Sequence, residues 1–145
     1  MIVGCLPVWK GKILLAKRAI EPQKGFWGLP AGFLEKNETA EQGALRELFE
    51  ETKAEGEIIR LHCCYSLVHV GMVYMHFLTH LSSDRVEKTI ESTEVAFFSA
   101  DEIPWDQLAF SSSEFALQKY LQEPHNEKVH LGTFDPNLLN SRSWG

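Results

Sequence analysis

Residues 39–52 carry the clearest structural instruction in this chain. Thr39, with Gln42 three positions later, forms a capping box in which both side chains satisfy exposed N–H groups at a helix start. Ala40 to Thr52 is rich in Ala, Leu, Glu and Arg, all strong helix formers. At roughly 100° per residue, Leu45, Leu48 and Phe49 share one arc, which predicts the core-facing stripe, while Glu47, Glu50 and Glu51 share the opposite one. A helix this definite, set between β-rich stretches on both sides, restricts the fold to classes in which one sheet collects strands from separated parts of the chain.

Those stretches are easily placed. Met1–Trp9 and Lys12–Arg18 read as two strands of a hairpin turning at Lys10-Gly11. Glu57–Val70 and Met72–Leu81 read as two more, separated by Gly71, and Glu94–Ser99 as a short fifth after a polar connection, Ser82–Thr93. Asp101–Pro104 marks a turn, and Ser113–Gln122 a second helix with Phe115, Leu117, Tyr120 and Leu121 on its apolar side. Residues 19–38 are rich in turn formers yet hold Phe26, Trp27, Leu29 and Phe33, so an ordered, packed loop is expected. The reading is an α/β fold: an α/β/α sandwich with a mixed β-sheet between helices. Residues 1–122 form the domain, and 123–145 a tail that is partly ordered or docks elsewhere through Val129, Leu131, Phe134, Leu138 and Leu139.

The acidic face of the first helix has two readings. One is a solvated surface. The other is a divalent-cation site. Like charges at i,i+3 and i,i+4 destabilise a helix, and the helix dipole disfavours acids near the C-terminal end. A bound cation turns both penalties into attraction, and Mg²⁺ prefers oxygen ligands. Gly43, on the same side one turn earlier, costs about 1 kcal/mol against Ala, which suggests that something approaches closely there. Gly32, Glu38 and Arg46 taken singly are a turn glycine, an acid at a helix start and an i,i+4 partner of Glu50.

Composition narrows the functional classes. Lys plus Arg number 14 against 20 Asp plus Glu, a net charge of −6, which counts against a duplex nucleic-acid binder but not against a metal-bridged nucleotide. Cys5, Cys63 and Cys64 form no C-x-x-C pair, so neither a disulfide scaffold nor a cysteine zinc cluster is expected. No apolar run approaches a membrane span, and a cytoplasmic location is the expectation. His62, His69, His76 and His80 are spread over two strands without close metal-ligand spacing and read as ordinary sheet histidines. Gly11-Lys12 lacks the rest of a phosphate-binding P-loop.

Together, Gly32, Glu38, Arg46-Glu47-Leu48-Phe49-Glu50-Glu51 and Ala54 resemble the Nudix box, G-x5-E-x7-R-E-U-x-E-E-x-G-U, where U is apolar. Eight of its nine specified positions match. Lys53 stands where the motif has glycine for a left-handed turn, and Gly56 offers a later one. The stretch GKILLAKRAIEPQKGFWGLPAGFLE is similar to that of Nudix hydrolases acting on nucleoside diphosphates linked to another group. ESTEVAFFSADEIPWDQLAFSS is similar to a subgroup associated with ADP-ribose and FAD hydrolysis. The cysteine zinc ribbon common in that subgroup has no counterpart in these residues. His69, Val70 and Gly71 stand where some ADP-ribose hydrolases carry a proline.

The resemblance implies a pyrophosphohydrolase that uses Mg²⁺ or Mn²⁺ and water to cleave the diphosphate of ADP-ribose, FAD or a related dinucleotide. It implies Glu47, Glu50 and Glu51 as metal ligands, with Glu47, Glu51 or an outside acid deprotonating water. Glu91 is slightly preferred over Glu94 as the outside acid, the alternative being that both merely solubilise their loop. Gly32, Glu38 and Arg46 would support the ligands, with Gly32 letting the backbone come close. Arg18 is a candidate for a phosphate or simply an exposed strand-end charge, and Phe26 and Trp27 are candidates for stacking on a base or flavin or for core or dimer packing. A small-molecule nucleotide is the expected partner, with a homodimer common in the family. A house-cleaning triphosphatase and a non-catalytic nucleotide sensor are the alternatives.

Overall fold

The computed structural model describes residues 1–137. Strands β1 (Ile2–Trp9) and β2 (Lys12–Arg18) form the expected hairpin, with Lys10 and Gly11 both at positive φ as a tight two-residue turn requires. Strands β5 (Gly56–Leu67) and β6 (Met72–Leu81) pair antiparallel, joined through one 3₁₀ turn and Gly71. β1 runs parallel to β6, and β7 (Ser92–Phe98) pairs with β2 on its other side, so the sheet is mixed.

The hairpin forks. β1 pairs with β2 only at Val8 and Trp9, after which the two strands separate. Two short strands fill the gap: β3 (Trp27–Gly28) on β2, and β4 (Ala31–Phe33) on β1. The loop expected to be ordered is thus part of the sheet, with Trp27 and Leu29 buried but Phe26 and Phe33 exposed.

Alternation along the strands feeds two cores. Val3 and Cys5 of β1 and Leu14 of β2 pack with Ala44 and Leu48 of the first helix, α1 (Ala40–Thr52). Leu6, Ile13 and Leu15 pack on the opposite face with Ala116 and Leu117 of α2 (Ser111–Gln122), giving the α/β/α sandwich. α2 begins two residues before Ser113, with Ser111, Ser112 and Ser113 buried in its first turn. Beyond it, β8 (His130–Phe134) lies parallel to β5 from Cys63 to Leu67 as an edge strand. Phe134 packs with Tyr65, Leu67 and Tyr74, while Leu138 and Leu139 fall outside the described residues. Among the described residues no helix is long and apolar enough to cross a membrane.

α1 begins with the capping box: Gln42 N–H donates to Thr39 Oγ1 at 3.1 Å, and Thr39 N–H to Gln42 Oε1 at 2.9 Å. Its rotation differs from the wheel. Gly43, Ala44, Glu47, Leu48 and Thr52 are buried, Leu45 is half-buried and Phe49 is 43% exposed. The helix turns Glu47 towards the fork, where fixed hydrogen-bond partners receive acids that a hydrophobicity wheel assigns to solvent. The close approach expected at Gly43 comes from the fold itself, since a Cβ there would lie 2.8 Å from Leu34 Cδ1, 2.9 Å from Glu38 Oε1 and 3.0 Å from Val3 Cγ2.

Candidate active site

The motif's glycine position is left-handed in fact: Lys53 has φ 63° and donates its N–H to Phe49 O at 2.8 Å. The turn therefore comes at Lys53 and not later. Gly56 serves a close strand approach instead, because a Cβ there would lie 2.6 Å from His80 O. The loop after β6 then lies over the helix end. Glu87 N–H donates to Thr52 O at 2.8 Å, and Thr89 Oγ1 to Glu51 O at 3.5 Å. That anchoring carries Glu91 to the acids of α1.

Carboxylate oxygens of Glu47, Glu50 and Glu91 lie within 4.8 Å of one another. Glu51 sits beside this group, its Oε2 accepting the Ala31 N–H at 3.0 Å and its carboxyl hydrogen-bonded to Glu47. Burial, then the Glu47 hydrogen bond and charge, push the Glu51 pKa well above the usual carboxylate range. Glu91 is raised too, by burial first and then by the charges of Glu47 and Glu50. Glu94 instead lies exposed on β7 opposite Lys17. The gathered trio thus differs from the expected ligand set in one member, with Glu91 in place of Glu51.

Arg46 organises the group. Its Nε and Nη2 form a bidentate pair with Glu38 at 3.0 and 2.7 Å, and Nη1 donates to Glu47 Oε1 at 2.8 Å and to Glu50 Oε2 at 3.3 Å. Nη2 also donates to Phe33 O at 3.0 Å, tying β4 to the helix. The pairing lowers the Glu38 pKa and raises that of Arg46. Gly32 has a hard steric reason, because any Cβ there would collide with the Glu47 carboxylate.

A cavity of about 640 Å³ opens on this acidic wall. Arg18 lies on its rim, with Nε donating to Pro22 O at 2.7 Å and the guanidinium 4.9 Å from the Phe110 ring centre. Phe26 and Trp27 do not line it. Trp27 is buried edge-on against Phe98 at 5.0 Å in the α2-side core. Sequence reasoning missed the cavity's far wall, formed by Tyr74 and His76 of β6 with Phe110, Ser112 and Ser113 around the start of α2. Strand alternation reveals that Tyr74 and His76 share a face, but nothing local reveals that they border a cavity beside the start of α2.

The NUDIX domain family model matches residues 1–119. The chain belongs to the Nudix hydrolase family. A MutT-like protein of Streptomyces ambofaciens is 36% identical over 102 residues, covering 70% of this chain and 64% of that protein. An ADP-ribose pyrophosphatase of Methanocaldococcus jannaschii is 33% identical over 117 residues, covering 77% and 66% respectively. The chain thus spans just under two thirds of the length of these curated relatives. A Nudix hydrolase from Nitrosomonas europaea superposes with a TM-score of 0.88 at 47% identity, covering 92% of this chain and 77% of that one.

The donor set of this Nudix domain suits a hard divalent cation. All ligand candidates are carboxylate oxygens, and no histidine or cysteine joins the grouping among the described residues. Burial first, and the neighbouring acids second, disfavour the ionised forms of Glu51 and Glu91, a cost that a bound cation offsets.

Proposed function

We propose that this chain is a divalent-metal-dependent pyrophosphohydrolase that cleaves the diphosphate linkage of a nucleoside diphosphate joined to another moiety, with ADP-ribose, FAD or a related dinucleotide as substrate. The observation that carries the reading is the convergence of Glu47, Glu50 and Glu91 on one cavity wall, braced by Arg46. The relative named as an ADP-ribose pyrophosphatase supports the substrate class.

Glu47, Glu50 and Glu91, with Glu51 beside them, would hold Mg²⁺ or Mn²⁺. Such an ion supplies charge neutralisation at the phosphates and a more acidic water. The chain's own residues do the positioning. Arg46 keeps Glu38, Glu47 and Glu50 from splaying, and the Ala31 N–H fixes one oxygen of Glu51. Glu51, held beside Glu47 by the Ala31 N–H, would stand close enough to an ion-bound water to accept its proton once the cation keeps the carboxylate ionised. Arg18 faces the cavity with donors for a phosphate oxygen.

The test is a screen of nucleotides with Mg²⁺ and with Mn²⁺, products being identified. AMP released from ADP-ribose or FAD is the expected result. Inorganic pyrophosphate released from a triphosphate alone would replace the substrate class, and no turnover of any nucleotide would sink the enzymatic reading.

A further inference from the structure

The acids occupy only part of the cavity. The other wall, from β6 and the start of α2, carries no carboxylate or ammonium among the described lining residues. Its most unusual member is His76, 1% exposed, on the cavity wall, with Nδ1 lacking any hydrogen-bond partner among the described residues. Leaving such an atom buried and unpaired costs stability that a bound partner would recover.

The neighbours of His76 share its character. Tyr74 lies alongside, the two rings 6.1 Å apart and 11° from parallel. Ser112 is equally buried, and its Oγ faces the Tyr74 hydroxyl without completing a hydrogen bond of good geometry. Phe110, which precedes α2, makes no side-chain cap, so the positive end of that twelve-residue helix opens on the same wall uncapped. Ser111 and Ser113 are already engaged, with the Tyr65 hydroxyl and the Leu29 N–H respectively.

Resting on the hydrolase reading, we propose that Tyr74, His76 and Ser112 form the subsite that receives the edge of the substrate's nucleobase, and that they set base preference. Burial first, and the nearby His62 second, hold the His76 pKa down at about 3, so the ring stays neutral. A neutral imidazole offers one donor and one acceptor, and a serine hydroxyl can serve as either. That complement matches a planar, uncharged, hydrogen-bonding edge, while the guanidinium of Arg18, over the Phe110 ring at the margin of this wall, suits the phosphate that adjoins the nucleoside. The aromatic lining from Tyr74, His76 and Phe110 favours a flat ring over a sugar.

The experiment titrates the full chain, without metal, with adenosine, guanosine, cytidine, uridine and free ribose, following the histidine ring nitrogens by NMR. Saturable movement of the His76 signals by at least one nucleoside, and none by ribose, is expected. Movement by ribose alone, or by no nucleoside, overturns the subsite. His76→Phe keeps the ring volume and removes both nitrogens. It should weaken that nucleoside about tenfold and flatten the preference among nucleotide substrates, through KM more than kcat. Should His76→Phe not fold, Ser112→Ala is read the same way, and unchanged affinity in the folded variants also overturns the proposal. A chain that hydrolyses no nucleotide would refute the activity, while the metal-free titration would still judge the subsite by itself.

Discussion

Gly32→Ala is the sharpest test of how the acidic wall is built. Gly32 is not at positive φ, so alanine meets no backbone penalty and the perturbation is one methyl group. That methyl would overlap the Cδ and both oxygens of Glu47. Restoring ordinary van der Waals separation takes a shift of about 1 Å, by the carboxylate or by β4. If the carboxylate moves, the 2.8 Å bond from Arg46 Nη1 is lost. If β4 moves, its pairing with β1 at Val3 and the Ala31 N–H bond to Glu51 are disturbed. A misplacement of that size costs about 10²-fold in rate, while overpacking costs about 1–3 kcal/mol of stability. Steady-state hydrolysis of the best substrate should therefore show kcat down by about two orders of magnitude, and Mn²⁺ titration should show weaker ion binding. The variant should still melt cooperatively. A Gly32→Ala protein with kcat within about twofold of the parent would refute the reasoning, because such packing could not then be holding Glu47 in place.

Glu51→Gln keeps the shape and removes a charge beside Glu47; kcat should fall at least about 100-fold, with thermal stability in metal-free buffer unchanged or higher. Lys53→Gly relieves the positive φ and should be neutral or stabilising by up to about 1 kcal/mol in urea denaturation; a clear loss would show that the contact of Lys53 with the Phe49 ring outweighs the backbone. His76 has a folded pKa near 3, below its unfolded value near 6.5, so the unfolded chain binds the extra proton first. Stability should be intact above that unfolded value and fall as pH drops below it, at roughly 1.4 kcal/mol per unit. His62, also depressed by burial, steepens the loss; denaturation curves of His76→Phe should show a shallower acid slope, and an unchanged slope would contradict the burial.

The elements legible in the chain were those whose signal is local. The capping box at Thr39 and Gln42, the turn at Lys10-Gly11 and the alternation of β1, β2, β5 and β6 each need only their own residues. The rotation of α1 was not legible, because Glu47 is buried by its partnership with Arg46 and by the Gly32 backbone across the fork. β3 and β4, at two and three residues, are too short to alternate, and the residues alone left Trp27 open between stacking and core packing, which its burial decides for the core. β8 is a strand because β5 offers it an edge, which no pattern in residues 130–134 announces. At the site, motif spacing located the box acids, but only the fold places Glu91, and not Glu94, on the cavity wall and brings His76 to it.

The hydrogen bonds from Glu87 and Thr89 to the last carbonyls of α1 have a practical consequence for anyone wishing to redesign this surface. The stretch between β6 and β7 looks like a tolerant site for insertions or grafted epitopes, being polar and exposed. Yet it is pinned midway, and a change of length on the C-terminal side of the pin would rotate one acid of the wall out of place. Insertions belong between Ser82 and Arg85, upstream of the pin, where added residues can bulge into solvent and leave the wall's charge pattern intact.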